Sequence, residues 1–257
     1  MKLKFYSHSL PSNTHPEENQ DALFIDQKNK AAGIFDGIGG LAYGGQAAIS
    51  AAEFCKIEIS QVGIEKTLEN CHRFLKEKGK KEFGKEIATT AAVTQIYLKQ
   101  TPALIVWGSV GDSRIYHLSS TGFAQASTDD SLITQAMENG WVSSSKAEQI
   151  NQAENLRGLN RVEKNLFQNR NLITQALGIG VMTTRVGKFK ARKGDRVVLT
   201  SDGVHNNLTN LQIEQILKNK PADPAKKLVE EATFISETDS LRAKSDDMTA
   251  VVVELLS

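Results

Sequence analysis

Four short apolar runs in this chain are bounded by an aspartate at a Gly, Ser or Asp turn. Residues 31–35 lead into Asp36-Gly37, residues 103–111 into Asp112-Ser113, residues 196–201 into Asp202-Gly203, and Ser245-Asp246-Asp247 opens the run 248–255. The runs are rich in Val, Ile, Leu and Ala and too short for helices, so they read as buried strands with aspartates marking their ends. If those ends lie together on a sheet, several anionic oxygens converge. Carboxylates gathered there without basic partners repel one another unless protons or a hard divalent cation neutralise them.

The rest of the chain supplies the partners such strands need. Residues 3–9, 21–30 and 31–37 alternate short runs with polar turns, which predicts antiparallel hairpins. From Gly44 to about Gly84 the period changes: Ala47, Ala48, Ala51, Ala52 and Cys55, then Leu68, Cys71, Phe74 and Leu75, recur at three and four, which predicts two amphipathic helices. Strands resume at 89–99, 103–111, 113–120 and 123–128, an antiparallel meander whose last pair turns at 119–122. Residues 132–140 read as a helix; the polar stretch up to about 170 offers few core candidates and is expected to form a flap-like surface excursion, a candidate for mobility. Strands at 185–192 and 195–203, helices at 208–220 and 223–236, and a closing strand at 248–255 complete the pattern. Pro224 falls near the first turn of its helix, where proline is tolerated. These elements do not repeat as βαβ units, so the expected class is α+β, with sheets packed together and helices covering their outer faces.

Composition excludes several functions. The 31 Lys and Arg nearly cancel the 30 Asp and Glu, which leaves no electrostatic footprint for nucleic acid. The two cysteines, Cys55 and Cys71, lie in segments read as helical and make no metal knot or disulfide framework, so they are expected as reduced, packed thiols. The first residues lack the apolar stretch of a signal peptide, and no window approaches the ~20 apolar residues of a membrane span. A soluble cytoplasmic protein is expected.

A single Asp-Gly after a strand is ordinarily just a turn. The joint placement of Asp21, Asp36, Asp112, Asp202 and Asp246 within a residue or two of strand boundaries is better explained by one constellation. Oxygen ligands with no matching His or Cys select Mg²⁺ or Mn²⁺ over zinc or copper, and phosphoryl chemistry is the usual work of such a site. The motifs that carry these acids are Asn19-Gln20-Asp21-Ala22, Phe35-Asp36-Gly37-Ile38-Gly39-Gly40, Gly111-Asp112-Ser113-Arg114-Ile115-Tyr116, residues 171–178, Ser201-Asp202-Gly203-Val204 and Asp246-Asp247-Met248-Thr249. In order and spacing, over nearly the whole chain, this ensemble resembles the metal-dependent serine/threonine protein phosphatases, the PPM or type 2C class, with a Gly-Ile-Gly-Gly variant of the bacterial type.

The resemblance implies one catalytic domain over residues 1–257, a central sandwich of two antiparallel sheets flanked by helix pairs, and two to three Mn²⁺ or Mg²⁺ ions. It implies that Asp36 bridges two ions with the Gly37 carbonyl as a further ligand, that Asp202 and Asp246 complete one shell, and that Asp112 helps hold a third ion near the flap. Asp21 would orient water without ligating an ion. The implied substrate is a phosphoserine or phosphothreonine protein, in opposition to a Ser/Thr kinase, and the implied state is a monomer. No cysteine in a phosphate loop and no serine in a nucleophile elbow points to a covalent intermediate.

Three positions depart from the family pattern. Where members usually carry a phosphate-binding arginine, three residues before the Asn of Asn-Gln-Asp, this chain has Pro16; His15, or a flap arginine such as Arg157, Arg161 or Arg170, is a weak substitute. The usual Asp-Asn-x-Thr reads Asp246-Asp247-Met248-Thr249, and the usual Asp-His pair reads Asp129-Asp130. The missing arginine motivates an alternative, a pseudo-phosphatase that binds a phosphoprotein without turning it over. A calcium-stabilised structural site is a third reading, but the spacing of an EF-hand loop is absent.

Overall fold

The apolar runs pair as two five-stranded antiparallel sheets in the computed structural model of the chain, which describes residues 1–38 and 43–256. The strands are β1 (Lys2–Leu10), β2 (Asp21–Asp26), β3 (Ala31–Asp36), β4 (Ala91–Tyr97), β5 (Ala103–Val110), β6 (Arg114–Ser119), β7 (Gly122–Gln125), β8 (Arg185–Ala191), β9 (Arg196–Thr200) and β10 (Met248–Leu256). One sheet has the order β1-β10-β9-β6-β7 and the other β2-β3-β4-β5-β8. Gly39 and Gly40 of the Asp36 motif lie outside the described residues.

Alternation along each strand divides the core into layers. Val197, Leu199, Val251 and Val253 of the first sheet meet Ala32, Ile34, Ala92 and Ile105 of the second and form the inner layer. Val198, Ala250 and Val252 point the other way, onto Ile213, Leu217, Leu228 and Val229 of α7 (Asn210–Lys218) and α8 (Pro224–Ser236). On the far side Phe24, Phe35 and Val93 receive Ala47, Ala51, Cys55, Leu68, Cys71 and Leu75 of α1 (Gly44–Val62) and α2 (Ile64–Lys78). The result is the expected α-β-β-α arrangement. Its central strands are buried on both faces, which is why they read as unbroken apolar runs. Both cysteines are free and buried between the first helix pair and its sheet.

The excursion differs from its expectation. Residues 132–168 hold α3 (Leu132–Glu138), α4 (Ser144–Asn151) and α5 (Arg161–Gln168), and Ile133, Ala147, Ile150, Leu159 and Phe167 close a small core of their own. Five apolar residues scattered among polar ones suffice because short helices bring them to one side. Asn160 and Glu163 form a capping box at the start of α5. The flap is tied to the body where Gln152 accepts from the Asn210 amide (2.6 Å) and where the Asn151 carbonyl accepts from Arg242 (2.8 Å). No helix among the described residues is long and apolar enough to cross a membrane.

Candidate metal centre

The strand ends do meet. Asp21 opens β2 and sits in register opposite Asp36, the last residue of β3, so two carboxylates are neighbours across an antiparallel pair, an arrangement that repels. Asp112 lies in the turn by which the chain leaves β5 for β6 in the other sheet, while Asp202 follows β9 and opens the short helix α6 (Asp202–His205), and Asp246 precedes β10. Both sheets therefore deliver acids to one end of the sandwich. Asp36, Gly37, Asp112, Asp202 and Asp246 line a cavity of about 400 Å³ that also takes in His15, Thr90, Asn171 and Lys244.

Local hydrogen bonding fixes each backbone. The Asn19 side chain accepts from the Asp21 amide (2.9 Å), which accounts for the Asn of that motif. The Asp36 carbonyl accepts from the Thr90 amide and the Thr89 hydroxyl, both at 2.8 Å. Ser201 joins the sheets: its hydroxyl donates to Asp21 Oδ2 (2.7 Å) and accepts from the Thr249 amide (2.9 Å). Asp247, the family's Asn position, accepts from the Ser12 and Gln20 amides at 2.8 Å each and so pins the loop carrying His15 and Pro16. The glycines of two Asp-Gly pairs are required by close approach: a Cβ on Gly37 would lie 2.4 Å from Gly44 backbone, and one on Gly203 2.0 Å from the Asp247 carbonyl oxygen.

Crowding and burial shift these acids. Burial, then the charges of Asp21, Asp202, Asp246 and Asp112, hold the Asp36 carboxyl well above the usual carboxylate range. Asp112 is raised likewise, by burial and then by Asp202 and Asp129. Burial pushes Asp21 up to about 8 against the hydrogen bond from Ser201, and its Oδ1 is a buried oxygen with no partner. Asp246 is pushed up to about 6, again chiefly by burial. Protons must be retained at this end of the sandwich unless a cation arrives.

One cation is already there, and it corrects the expectation of acids without basic partners. Lys244 Nζ lies 2.5 Å from Asp202 Oδ2 and 2.6 Å from Asp246 Oδ2. Burial alone would raise Asp202, but Lys244 and hydrogen bonds from Asp246 and Asp36 keep it below the ordinary value. Burial disfavours the ammonium itself, and the two carboxylates outweigh that and raise its pKa. Among the described residues no three donors stand as a ready-made coordination shell. The donor chemistry nonetheless fits a hard divalent ion: the carboxylates of Asp36, Asp112, Asp202 and Asp246 line one cavity, and Asp21, which does not line it, lies behind Asp36 with a buried oxygen that has no partner. Its sequence signal was a basic residue two places before Asp246, in Arg-Ala-Lys-Ser-Asp-Asp.

The remaining candidates fall into place as follows. His15 reaches the cavity, with Nδ1 engaged by the Glu18 carbonyl (2.9 Å). Pro16 lines a smaller neighbouring hollow that also touches Asp246. Arg157 and Arg161 are exposed, and Arg170 packs on the Phe167 ring and donates to the Phe167 and Arg242 carbonyls. Asp129 holds Arg114, and Asp130 accepts from Arg185, Gln175 and the Gly111 amide, so this pair braces the Asp112 turn.

Known proteins share this plan. The serine/threonine phosphatase stp of Listeria innocua is 26% identical over 251 residues, covering 93% of this chain and 90% of that protein. The crystal structure of the Mycobacterium tuberculosis serine/threonine phosphatase PstP/Ppp superposes over 100% of both chains with a TM-score of 0.77 at 20% identity. The catalytic domain of PstP in complex with two manganese ions covers 99% of each chain, with a TM-score of 0.74 at 20% identity. Residues 14–244 match the family model described as Protein phosphatase 2C, a span that contains Asp21, Asp36, Asp112 and Asp202. With most of its length matched and its acids gathered where the two sheets end, the chain belongs to the protein phosphatase 2C family.

Proposed function

We propose that this protein hydrolyses phosphoserine and phosphothreonine on proteins, with divalent ions held by its clustered aspartates. The observation that carries this reading is the convergence of Asp36, Asp112, Asp202 and Asp246, from separate segments of both sheets, on one cavity. Asp36 and the Gly37 carbonyl would hold two Mn²⁺ or Mg²⁺ ions, Asp202 and Asp246 would complete one shell, and Asp112 would serve a third ion. When bound, such ions supply a water acidified enough to attack near neutral pH and polarise the phosphoryl oxygens.

The chain's own residues do the positioning. Ser201 holds Asp21 beside Asp36, behind the cavity wall, with its second oxygen buried and unpartnered. Thr90 and Thr89 fix the Asp36 backbone, and Asn206 donates to Asp202 Oδ2 (2.9 Å), so that carboxylate stays aimed at the cavity. His15 is a group at the cavity wall that could meet a phosphate oxygen in place of the arginine that Pro16 replaces: the Glu18 carbonyl first, and then the acids Asp247 and Asp246, favour its protonated form against the opposing effect of burial. The substrates would be cytoplasmic phosphoproteins modified by a Ser/Thr kinase, and the protein a monomeric single domain.

The test is hydrolysis of phosphothreonine, phosphoserine and phosphotyrosine peptides across a Mn²⁺ titration, with Asp36→Asn as control. Metal-dependent release of phosphate from the threonine or serine peptides, absent in the variant, is the expected result. Mn²⁺ binding with no hydrolysis of any peptide would instead favour a phosphoprotein-binding module.

A further inference from the structure

We propose that Lys244 is a tethered counter-cation of the metal centre: its ammonium bridges Oδ2 of Asp202 and Oδ2 of Asp246, and a divalent ion that takes those oxygens must displace it. The proposal rests on the assignment of those two aspartates as ligands of one ion. Lys244 contacts Oδ2 of both, at 2.5 and 2.6 Å, and Oδ1 of Asp246 already accepts from the Asp247 amide (2.9 Å), so lysine and metal compete for the two Oδ2 atoms.

The placement is built into the fold. The Asn207 side chain clamps the Lys244 backbone in both directions, accepting from its amide and donating to its carbonyl at 2.9 Å each, and the same Asn207 nitrogen reaches the Gly203 carbonyl (2.7 Å). The main chain of Lys244 is thus anchored to the segment that carries Asp202. What remains free is a four-carbon stem whose end is a point charge without the fixed fork of an arginine. About a quarter of the side chain is exposed, toward the cavity, so the ammonium can swing out without opening the core. Asp202 Oδ2 also accepts from Asn206, which keeps the carboxylate oriented after the lysine leaves.

Such a device lowers apparent metal affinity by the ratio of closed to open lysine, to the extent that the ion needs the two Oδ2 atoms that only the open form leaves free. A tenfold bias toward the closed form weakens binding about tenfold, equivalent to about 1.4 kcal/mol. The metal-free site is kept neutralised in exchange.

The experiment is Mn²⁺ calorimetry on chelator-treated wild type, Lys244→Met and Lys244→Arg, with circular dichroism to confirm folding. Lys244→Met is expected to bind Mn²⁺ about tenfold tighter, and Lys244→Arg no tighter than wild type. Equal or weaker binding by a folded Lys244→Met overturns the proposal. A readout on the native chain covers the case in which the variants do not fold. Selective ¹³Cε labelling of lysine in the wild type is expected to show one side-chain signal, slow and dispersed without metal, that shifts and sharpens on adding Mg²⁺; no lysine signal responding to Mg²⁺ overturns it. If wild type and Lys244→Met bind Mn²⁺ equally and peptide hydrolysis is Mn²⁺-dependent, the lysine proposal alone fails. If neither binds Mn²⁺, the metal-centre reading fails with it.

Discussion

One carboxylate–cation cluster of this sandwich is buried and another is half-open, and they are built for opposite ends. Arg114 on β6 meets Asp129 through Nε at 3.0 Å to both oxygens and Nη2 at 2.6 Å to Oδ2, and Gln125 adds a further donor to Asp129. Both side chains are 7% exposed or less. The second cluster, Lys244 with Asp202 and Asp246, opens on the cavity, uses a point charge in place of a planar fork, and carries more acids than cations. The first is geometrically closed and leaves nothing to exchange. The second is over-supplied with negative charge, which is partly offset by a cation that can be replaced. Rigidity and reactivity are thus separated by the choice between Arg and Lys and by one face open to water.

The sharpest way to break this comparison is to remove one carboxylate at each place: Asp36, which shares the cavity with Asp202 and Asp246, and Asp129. Asp36→Asn is expected to reduce Mn²⁺-dependent peptide hydrolysis on the order of 10³-fold or more, because metal charge stabilisation supplies several kcal/mol. The same change should leave the metal-free melting temperature unchanged or higher, since it deletes a member of a self-repelling group. Chelation should likewise abolish hydrolysis, with Mn²⁺ or Mg²⁺ restoring it. Asp129→Ala is expected to do the reverse: it strands the Arg114 guanidinium and costs about 3 to 5 kcal/mol in urea denaturation, with a far smaller loss of activity, passed on through the Asp112 turn. Equal stability losses in the two variants would erase the distinction.

Smaller effects test the surroundings. Pro16→Arg is expected to lower KM about tenfold with kcat little changed, because a charged hydrogen bond to phosphate contributes roughly 1.5 to 3 kcal/mol, part of it lost in ordering the side chain. An unchanged KM would mean that His15 or another group already fills that role. The smallest expected effect concerns His205, which is buried and bonded through Nδ1 to Thr200 Oγ1 (2.9 Å). Burial, then the charges of Arg114, Lys244, Arg242 and Arg170, hold its imidazole well below the ordinary 6.5. Below pH 6.5 the unfolded chain takes up a proton that the folded protein refuses. The stability tied to a neutral His205 is therefore complete above 6.5 and declines as pH falls, by up to about 1.4 kcal/mol per unit. Denaturation profiles of wild type and His205→Gln between pH 5 and 8 should differ in slope only on the acid side.

Much of the architecture was legible in the chain. Strands such as β9 and β10 announce themselves because their middles, residues 197–199 and 250–253, are buried on both faces and apolar without interruption, and α1 because Ala47, Ala48, Ala51, Ala52 and Cys55 repeat at helical spacing. The flap core was not legible. Ile133, Ala147, Ile150, Leu159 and Phe167 show no common period, since they sit on three short helices and meet only through the turns between them.

The same division holds at the site. Sequence alone determined that Asp21, Asp36, Asp112, Asp202 and Asp246 stand at strand boundaries, because strand length and the turn that ends it are local properties of the chain. Only the tertiary structure decided their company. Asp21 meets Ser201 across 180 positions, Asp202 meets Lys244 across 42, and Asp247 reaches back 235 positions to the loop at Ser12. Charge acts through space and burial, so whether an aspartate faces a metal, an arginine fork or a swinging lysine depends on how two sheets close on one another, which no local pattern records.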